Sequence, residues 1–187
     1  MSPSVSALRT FGCACYPYLR PSGLFVHQSK YTLDLLNKFH MADCKPCNTP
    51  CATNAHLWPN PTHYRSLVGA LQYLTFTRSN LSFAVQQACQ FMSFPTGNHL
   101  QAAKRILRYL KGSIHQGLAF TPGPLSLSAY SDADWARDPV DWKFIFCILV
   151  FFGNSPITWS AKKQATVSIS SIEAEYRALT SAAAELC

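Results

Sequence analysis

The sequence predicts an α+β chain: a helical middle followed by an incomplete mixed sheet that carries one helix. Three observations predict it. Apolar residues recur at helical spacing between Tyr64 and Leu110. A period-two stretch begins at Leu125 and is followed by an unbroken apolar run, Phe144 to Phe152. A capped, striped segment then starts at Ser170. Periods of 3.6 and 2 are the primary local signals of helix and strand.

Gly23-Leu-Phe-Val-His reads as a strand, and the chain turns helical from about Tyr31. Residues 42–62 are rich in Pro, Thr, Asn and Cys and read as a loop. Three stripes follow. Leu67, Ala70, Leu71 and Leu74 form one; Leu81, Ala84, Val85, Ala88 and Met92 a second; Leu100, Ala103, Leu107 and Leu110 a third. Pro95 and Gly97 separate the last two, and 112–124 reads as a linker with its clearest break at Thr121-Pro-Gly-Pro.

Beyond the linker, Leu125, Leu127 and Ala129 alternate with Ser126, Ser128 and Tyr130, as in a half-buried strand that ends on Asp132 and Asp134. Phe144–Phe152 reads as a buried strand, Gly153-Asn154-Ser155-Pro156 as a turn and Ile157–Ser160 as the return strand. Ser170 with Glu173 three residues on is a capping box, so a helix starts there. Ile172, Tyr176, Leu179, Ala183 and Leu186 then form one apolar stripe. At about 100° per residue, Glu175 lies roughly 60° from that stripe's centre and Glu173 roughly 100° away on the other side. Glu173 therefore has the capping role. Glu175 is placed on the sheet-facing side, toward the strand-end aspartates.

The composition sets bounds. The 187 residues suffice for one domain or two small ones, and 48% hydrophobic residues suffice for a core. A net charge of +7 and a pI near 9.1 favour a polyanionic partner. No run approaches the roughly 20 apolar residues of a membrane span. The first residues lack a basic region followed by an apolar one, so no signal peptide is expected and the protein is read as intracellular, cytoplasmic or nuclear. Its eight cysteines are then read as reduced thiols. Cys44, Cys47 and Cys51, near His56 and His63, invite a zinc reading. C-x2-C-x3-C is not a standard structural zinc spacing, and Pro46 and Pro50 interrupt it, so the segment is read as a loop without metal. Cys13-x-Cys15 is weaker still as a ligand pair. On the third helix, Lys104, Arg108 and Lys111 stand beside the apolar stripe and could track a nucleic-acid backbone through phosphate contacts. A solvated helix face explains the same pattern.

Ser-Asp-Ala-Asp-Trp-Ala (131–136), Trp-Ser-Ala-Lys-Lys-Gln (159–164) and Ser-Ser-Ile-Glu-Ala-Glu-Tyr-Arg-Ala-Leu (170–179) closely resemble the ribonuclease H of plant copia-type (Ty1/copia) retrotransposon Pol polyproteins. Residues 7–21 resemble the segment after the integrase core, and 22–118 resemble the end of the reverse transcriptase palm, its thumb and connection. The resemblance thus implies an integrase-derived piece at 1–21, a reverse transcriptase piece at 22–118 and the opening part of a ribonuclease H domain at 125–187. It implies an RNA–DNA hybrid as partner and Mg²⁺ as cofactor, with Asp132 and Glu175 at the first two catalytic, metal-binding positions.

The departures from the family matter as much. No Tyr-x-Asp-Asp motif occurs, so the polymerase carboxylates are missing, and segments far apart in the family join near residue 21. The family's third ribonuclease H carboxylate lies beyond Cys187. Arg78-Ser79-Asn80 stands where the family usually has Arg-Pro-Asp, and Trp142 to Cys147 is apolar where the family is polar at the same length. Such changes are what point substitution in a decaying copy would produce. The expectation is a chain inactive alone. Two other readings are a basic nucleic-acid-binding module and a host-adopted interaction protein.

Overall fold

The computed structural model describes residues 15–20, 22–51, 61–134, 143–164 and 166–186. Along the chain run β1 (Tyr16–Arg20), β2 (Gly23–His27), α1 (Ser29–Lys38) and α2 (Pro61–Leu74). A 3₁₀ turn at Ser79–Leu81 leads directly into α3 (Ser82–Cys89), followed by α4 (Gly97–Gly112) and β3 (Leu118–Phe120). The last part is β4 (Leu127–Asp134), β5 (Ile145–Phe152), β6 (Ser155–Lys163) and α5 (Ser171–Leu186).

The strands make two antiparallel sheets, β1-β2-β3 and β4-β5-β6. The terminal sheet is therefore antiparallel throughout the described residues, not mixed. The first sheet corrects the linker reading of 112–124, because Leu118–Phe120 pairs with Leu24–Val26. Three residues are too few to show a period, and their partner lies far earlier in the chain. β1 pairs with β2 in register, with Tyr16 opposite His27 and Arg20 opposite Gly23. Gly23 sits at φ +138°, and a Cβ there would lie 2.1 Å from the Phe120 carbonyl oxygen, so β3 can approach only a glycine.

The helical core is built from the stripes read in the sequence. Leu67, Leu71 and Leu74 on α2, Leu81, Ala84, Val85 and Ala88 on and before α3, and Ala103, Leu107 and Leu110 on α4 are all buried. Leu35, Leu36 and Phe39 join them from α1 and its end. Each fully buried large aliphatic side chain stabilises the fold by roughly 2 kcal/mol. Tyr64 is also fully buried and donates its hydroxyl to the Ala88 carbonyl at 2.8 Å. Burial, with the Cys89 thiol adding to it, pushes the Tyr64 phenol well above its usual range. The start of α4 is fixed by a reciprocal cap: Thr96 accepts from the third helical N–H, and the Thr96 N–H donates to His99 Nδ1 at 3.0 Å.

In the second core the expected stripe is not the face that packs. Ala174, Ala178 and Ala182 of α5 are buried against Phe144, Phe146, Ile148 and Val150, with Ala129 and Ala133 of β4 partly covered. Ile172, Tyr176 and Leu179 are exposed. The bulky residues of β5 already fill the space above the sheet, and only methyl groups fit beneath the helix. The cap is as expected: Ser170 Oγ accepts from the Glu173 N–H, while the Glu173 carboxylate accepts from the Ile169 N–H at 2.8 Å. Gly153, at φ +57°, supplies the left-handed residue of the tight β5–β6 turn.

The helices and the second sheet meet through β6. Trp159 Nε1 donates to the Thr75 carbonyl at 2.8 Å, Lys163 Nζ donates to Gln90 Oε1 at 3.0 Å, and Ser155 Oγ accepts from the Thr121 N–H at 3.0 Å.

Candidate functional site

β4 delivers the strand-end carboxylates. Its register with β5 is unbroken, pairing Ser131 with Ile148, Asp132 with Cys147 and Ala133 with Phe146. Alternation puts Ala129, Ser131 and Ala133 on the α5 side, with Phe146 and Ile148. Asp132 and Asp134 therefore leave the sheet on the other face, beside Cys147. Burial and then the charges of Asp132 and Asp134 push the Cys147 thiol up. Glu175 is exposed and lies roughly 60° from the centre of the buried alanine face at 100° per residue. Asp132 and Glu175 thus depart from opposite sides of the β4–β5 ladder. Among the described residues there is no group of three or more His, Cys, Asp or Glu that could hold a metal ion.

Glu173 forms an ion pair with Arg177 at 2.6 Å. The Ile169 N–H, and to a lesser degree Arg177, hold its carboxyl below the ordinary range for glutamate. It is a helix-capping group, as its spacing from Ser170 implied.

The basic residues of α4 have partners that charge spacing did not reveal. Arg108 Nε donates to the Lys45 carbonyl at 2.8 Å, and Lys111 Nζ donates to the Ala42 carbonyl. Arg105, which lies beside the expected row, donates through Nε to the Thr49 carbonyl at 3.1 Å and through Nη2 to Thr49 Oγ1 at 2.5 Å. The Cys47 N–H in turn donates to the Arg108 carbonyl at 3.3 Å. These bonds lace the 42–50 segment onto α4. Lys104 is exposed, and α4 contains no Asp or Glu. Of the loop cysteines, Cys47 is within hydrogen-bonding reach of the Thr49 and Arg105 carbonyls. His56 lies outside the described residues.

Arg78, unlike the basic residues of α4, is buried. It is 4% exposed and fastens the start of α3 to the end of α4. Nη1 donates to the Ser113 carbonyl at 2.8 Å, Nη2 to Ser113 Oγ at 2.7 Å and to Gln116 Oε1 at 3.2 Å, and Nε to Asn80 Oδ1 at 3.3 Å. All of these acceptors are neutral. Between the helices and the sheet lies a cleft of about 320 Å³, lined by Tyr64, Gln87, His99, Asp134, Lys143 and Lys163 among others. Burial lowers the pKa of His99 there, and its ring stacks on Phe91 at 3.7 Å.

The described residues thus place an acid-bearing antiparallel sheet with one helix beside a helical unit. The chain is 48% identical over 174 residues to the retrovirus-related Pol polyprotein from transposon RE2 of Arabidopsis thaliana. It is 47% identical over 174 residues to the corresponding polyprotein from transposon RE1 of the same plant. In each case the match covers 89% of this chain and 12% of the relative. The uncharacterized mitochondrial protein AtMg00810 of Arabidopsis thaliana is 45% identical over 173 residues, covering 89% of this chain and 72% of the relative. The chain belongs to the copia-type, retrovirus-related Pol polyproteins of plant transposons. It spans 12% of the length of the two transposon polyproteins. No family model matches it. No solved structure matches it. Among the described residues, no helix is long and apolar enough to cross a membrane.

Proposed function

We propose that this chain is a remnant of the reverse transcriptase and ribonuclease H region of its parent polyprotein, and that alone it neither copies RNA nor cuts RNA–DNA hybrids. The observation that carries the reading is the placement of its carboxylates. Hybrid cleavage of the ribonuclease H type relies on two divalent ions clamped between convergent carboxylates. Mg²⁺ in turn demands near-octahedral oxygen coordination. Asp132 and Glu175 depart from opposite sides of the sheet, and no third acidic group completes a set among the described residues. The two residues do not fit a shared ion. A Mn²⁺ titration followed by electron paramagnetic resonance tests this reading. Weak, independent binding is expected. A single tight site lost in both Asp132→Asn and Glu175→Gln would overturn it.

A second reading has a specific observation behind it. α4 is a purely basic helix whose Lys104 is exposed, while its neighbours hold the 42–50 segment against it and add Lys45 to the same surface. Such a face would hold an RNA–DNA hybrid through phosphates, without base information and with a steep salt dependence. Binding unchanged between low and physiological salt would rule it out.

A further inference from the structure

We infer that the cleft between the helical unit and the terminal sheet is a binding site for a small, planar nitrogen-heteroaromatic monocarboxylate. Its volume of about 320 Å³ lies at the small end of the range for small-molecule sites, about 300–1,000 Å³. Gln87 of α3, with Gln90 and Phe91 just after it, forms one side, and His99 of α4 another. Asp134 at the end of β4, Lys143 before β5 and Lys163 at the end of β6 close the cleft from the sheet. These walls are held in place. Lys163 Nζ donates to Gln90 Oε1 at 3.0 Å, from the sheet to the helices. The reciprocal bonds between Thr96 and His99 fix the start of α4.

The chemistry of the occupant follows from the groups on these walls. Phe91 is 38% exposed and stacks on His99, with ring centroids 3.7 Å apart and planes 15° apart. A further flat ring adds to such a pair by offset stacking or edge-to-face contact. The glutamines and the imidazole offer donors. Gln90 Oε1 is taken by Lys163, and Gln87 Oε1 faces the Cys51 thiol at 3.9 Å, so each amide presents its Nε2. His99 Nδ1 accepts the Thr96 N–H at 3.0 Å. Burial lowers the pKa of His99, so at neutral pH the ring is uncharged and carries its proton on Nε2. Donors of this kind suit a ring nitrogen, which accepts in the plane of its ring. The charge selects the anion. Two lysines against one aspartate leave the lining one positive charge in excess among the described residues. That matches a carboxylate better than a phosphate monoester, which carries about −1.5 to −2 at neutral pH.

Titration of the full chain with quinoline-3-carboxylate, followed by heteronuclear magnetic resonance, tests the proposal. A single saturable site with a Kd on the order of 0.1–1 mM is expected, with shifts in the Gln87 and Gln90 side-chain amides. Three relatives of the probe should each bind several-fold more weakly: quinoline-3-carboxamide lacks the charge, 2-naphthoate the ring nitrogen and cyclohexanecarboxylate the flat ring. Lys143→Gln should weaken the carboxylate about fivefold and leave the carboxamide unchanged. Phe91→Leu should weaken both while the circular dichroism spectrum is kept, since Phe91 is partly exposed. Lys104→Ala, on the basic face of α4, should change neither. No saturation by about 10 mM, cyclohexanecarboxylate binding as tightly as the probe, or a carboxylate affinity indifferent to Lys143→Gln would overturn the proposal.

Discussion

Asn80→Asp should stabilise the protein at neutral pH. The reason is Arg78, a guanidinium 4% exposed whose acceptors are the Ser113 carbonyl, Ser113 Oγ, Gln116 Oε1 and Asn80 Oδ1, all neutral. Burial lowers its pKa, and the Tyr109 phenol offsets this only in part. The substitution puts a carboxylate where this chain has an amide oxygen 3.3 Å from Nε. Coulomb attraction at that range is about 1 kcal/mol in water and about 4 kcal/mol at an effective dielectric constant of 20. Asn80 is exposed, which favours the lower figure, and desolvation of the new charge takes part of it. The expected gain is about 1 kcal/mol, or about 3 °C in melting temperature. The Asn80 amide now donates to the Tyr109 hydroxyl at 2.6 Å; in the variant that hydroxyl can donate to the carboxylate instead. Thermal denaturation followed by circular dichroism reads the effect. The gain should vanish below about pH 4, where the new carboxyl is protonated, and in an Arg78→Gln background. No gain at pH 7, or an equal gain without Arg78, would refute the reasoning.

Tyr64→Phe should cost about 1 kcal/mol by removing the hydrogen bond to the Ala88 carbonyl, measurable by urea denaturation. Arg108→Gln should raise amide exchange in residues 42–47 far more than it lowers hybrid affinity, whereas Lys104→Ala should lower affinity and leave that exchange unchanged. The folded-state pKa of Glu173 is depressed, so its stabilising contribution is full above the unfolded value and disappears as pH falls through the folded one. Amide exchange at the start of α5 should therefore accelerate on acidification, and Glu173→Gln should flatten that response. Ala178→Leu should destabilise by about 1–3 kcal/mol, because the space above Phe146 and Ile148 is already filled.

The helical core was legible because its packing obeys one rule. Every stripe between Leu67 and Leu110 turns its residues inward, and periodicity is enough to find it. α5 breaks the rule because it carries two apolar faces. Hydrophobicity favours Ile172, Tyr176 and Leu179, but steric room above β5 favours alanine, and room depends on residues far away in sequence. β3 was hidden for a related reason, being three residues whose pairing depends on a distant glycine. In the candidate site, motif resemblance singles out Asp132 and Glu175, and only the strand register adds the face from which Asp132 leaves. The basic row of α4 shows what charge spacing omits: Arg108 and Lys111 bind backbone carbonyls, which attract a cation as phosphates do and leave no trace in the local pattern. Only the folded chain shows Arg78 buried.

Incubation of a labelled RNA–DNA hybrid with the purified chain in Mg²⁺ tests whether the chain is inactive alone. With Asp132 and Glu175 departing from opposite sides of the sheet, the RNA strand should stay intact, the same as for Asp132→Asn. Cutting of the RNA strand that Asp132→Asn abolishes would contradict it.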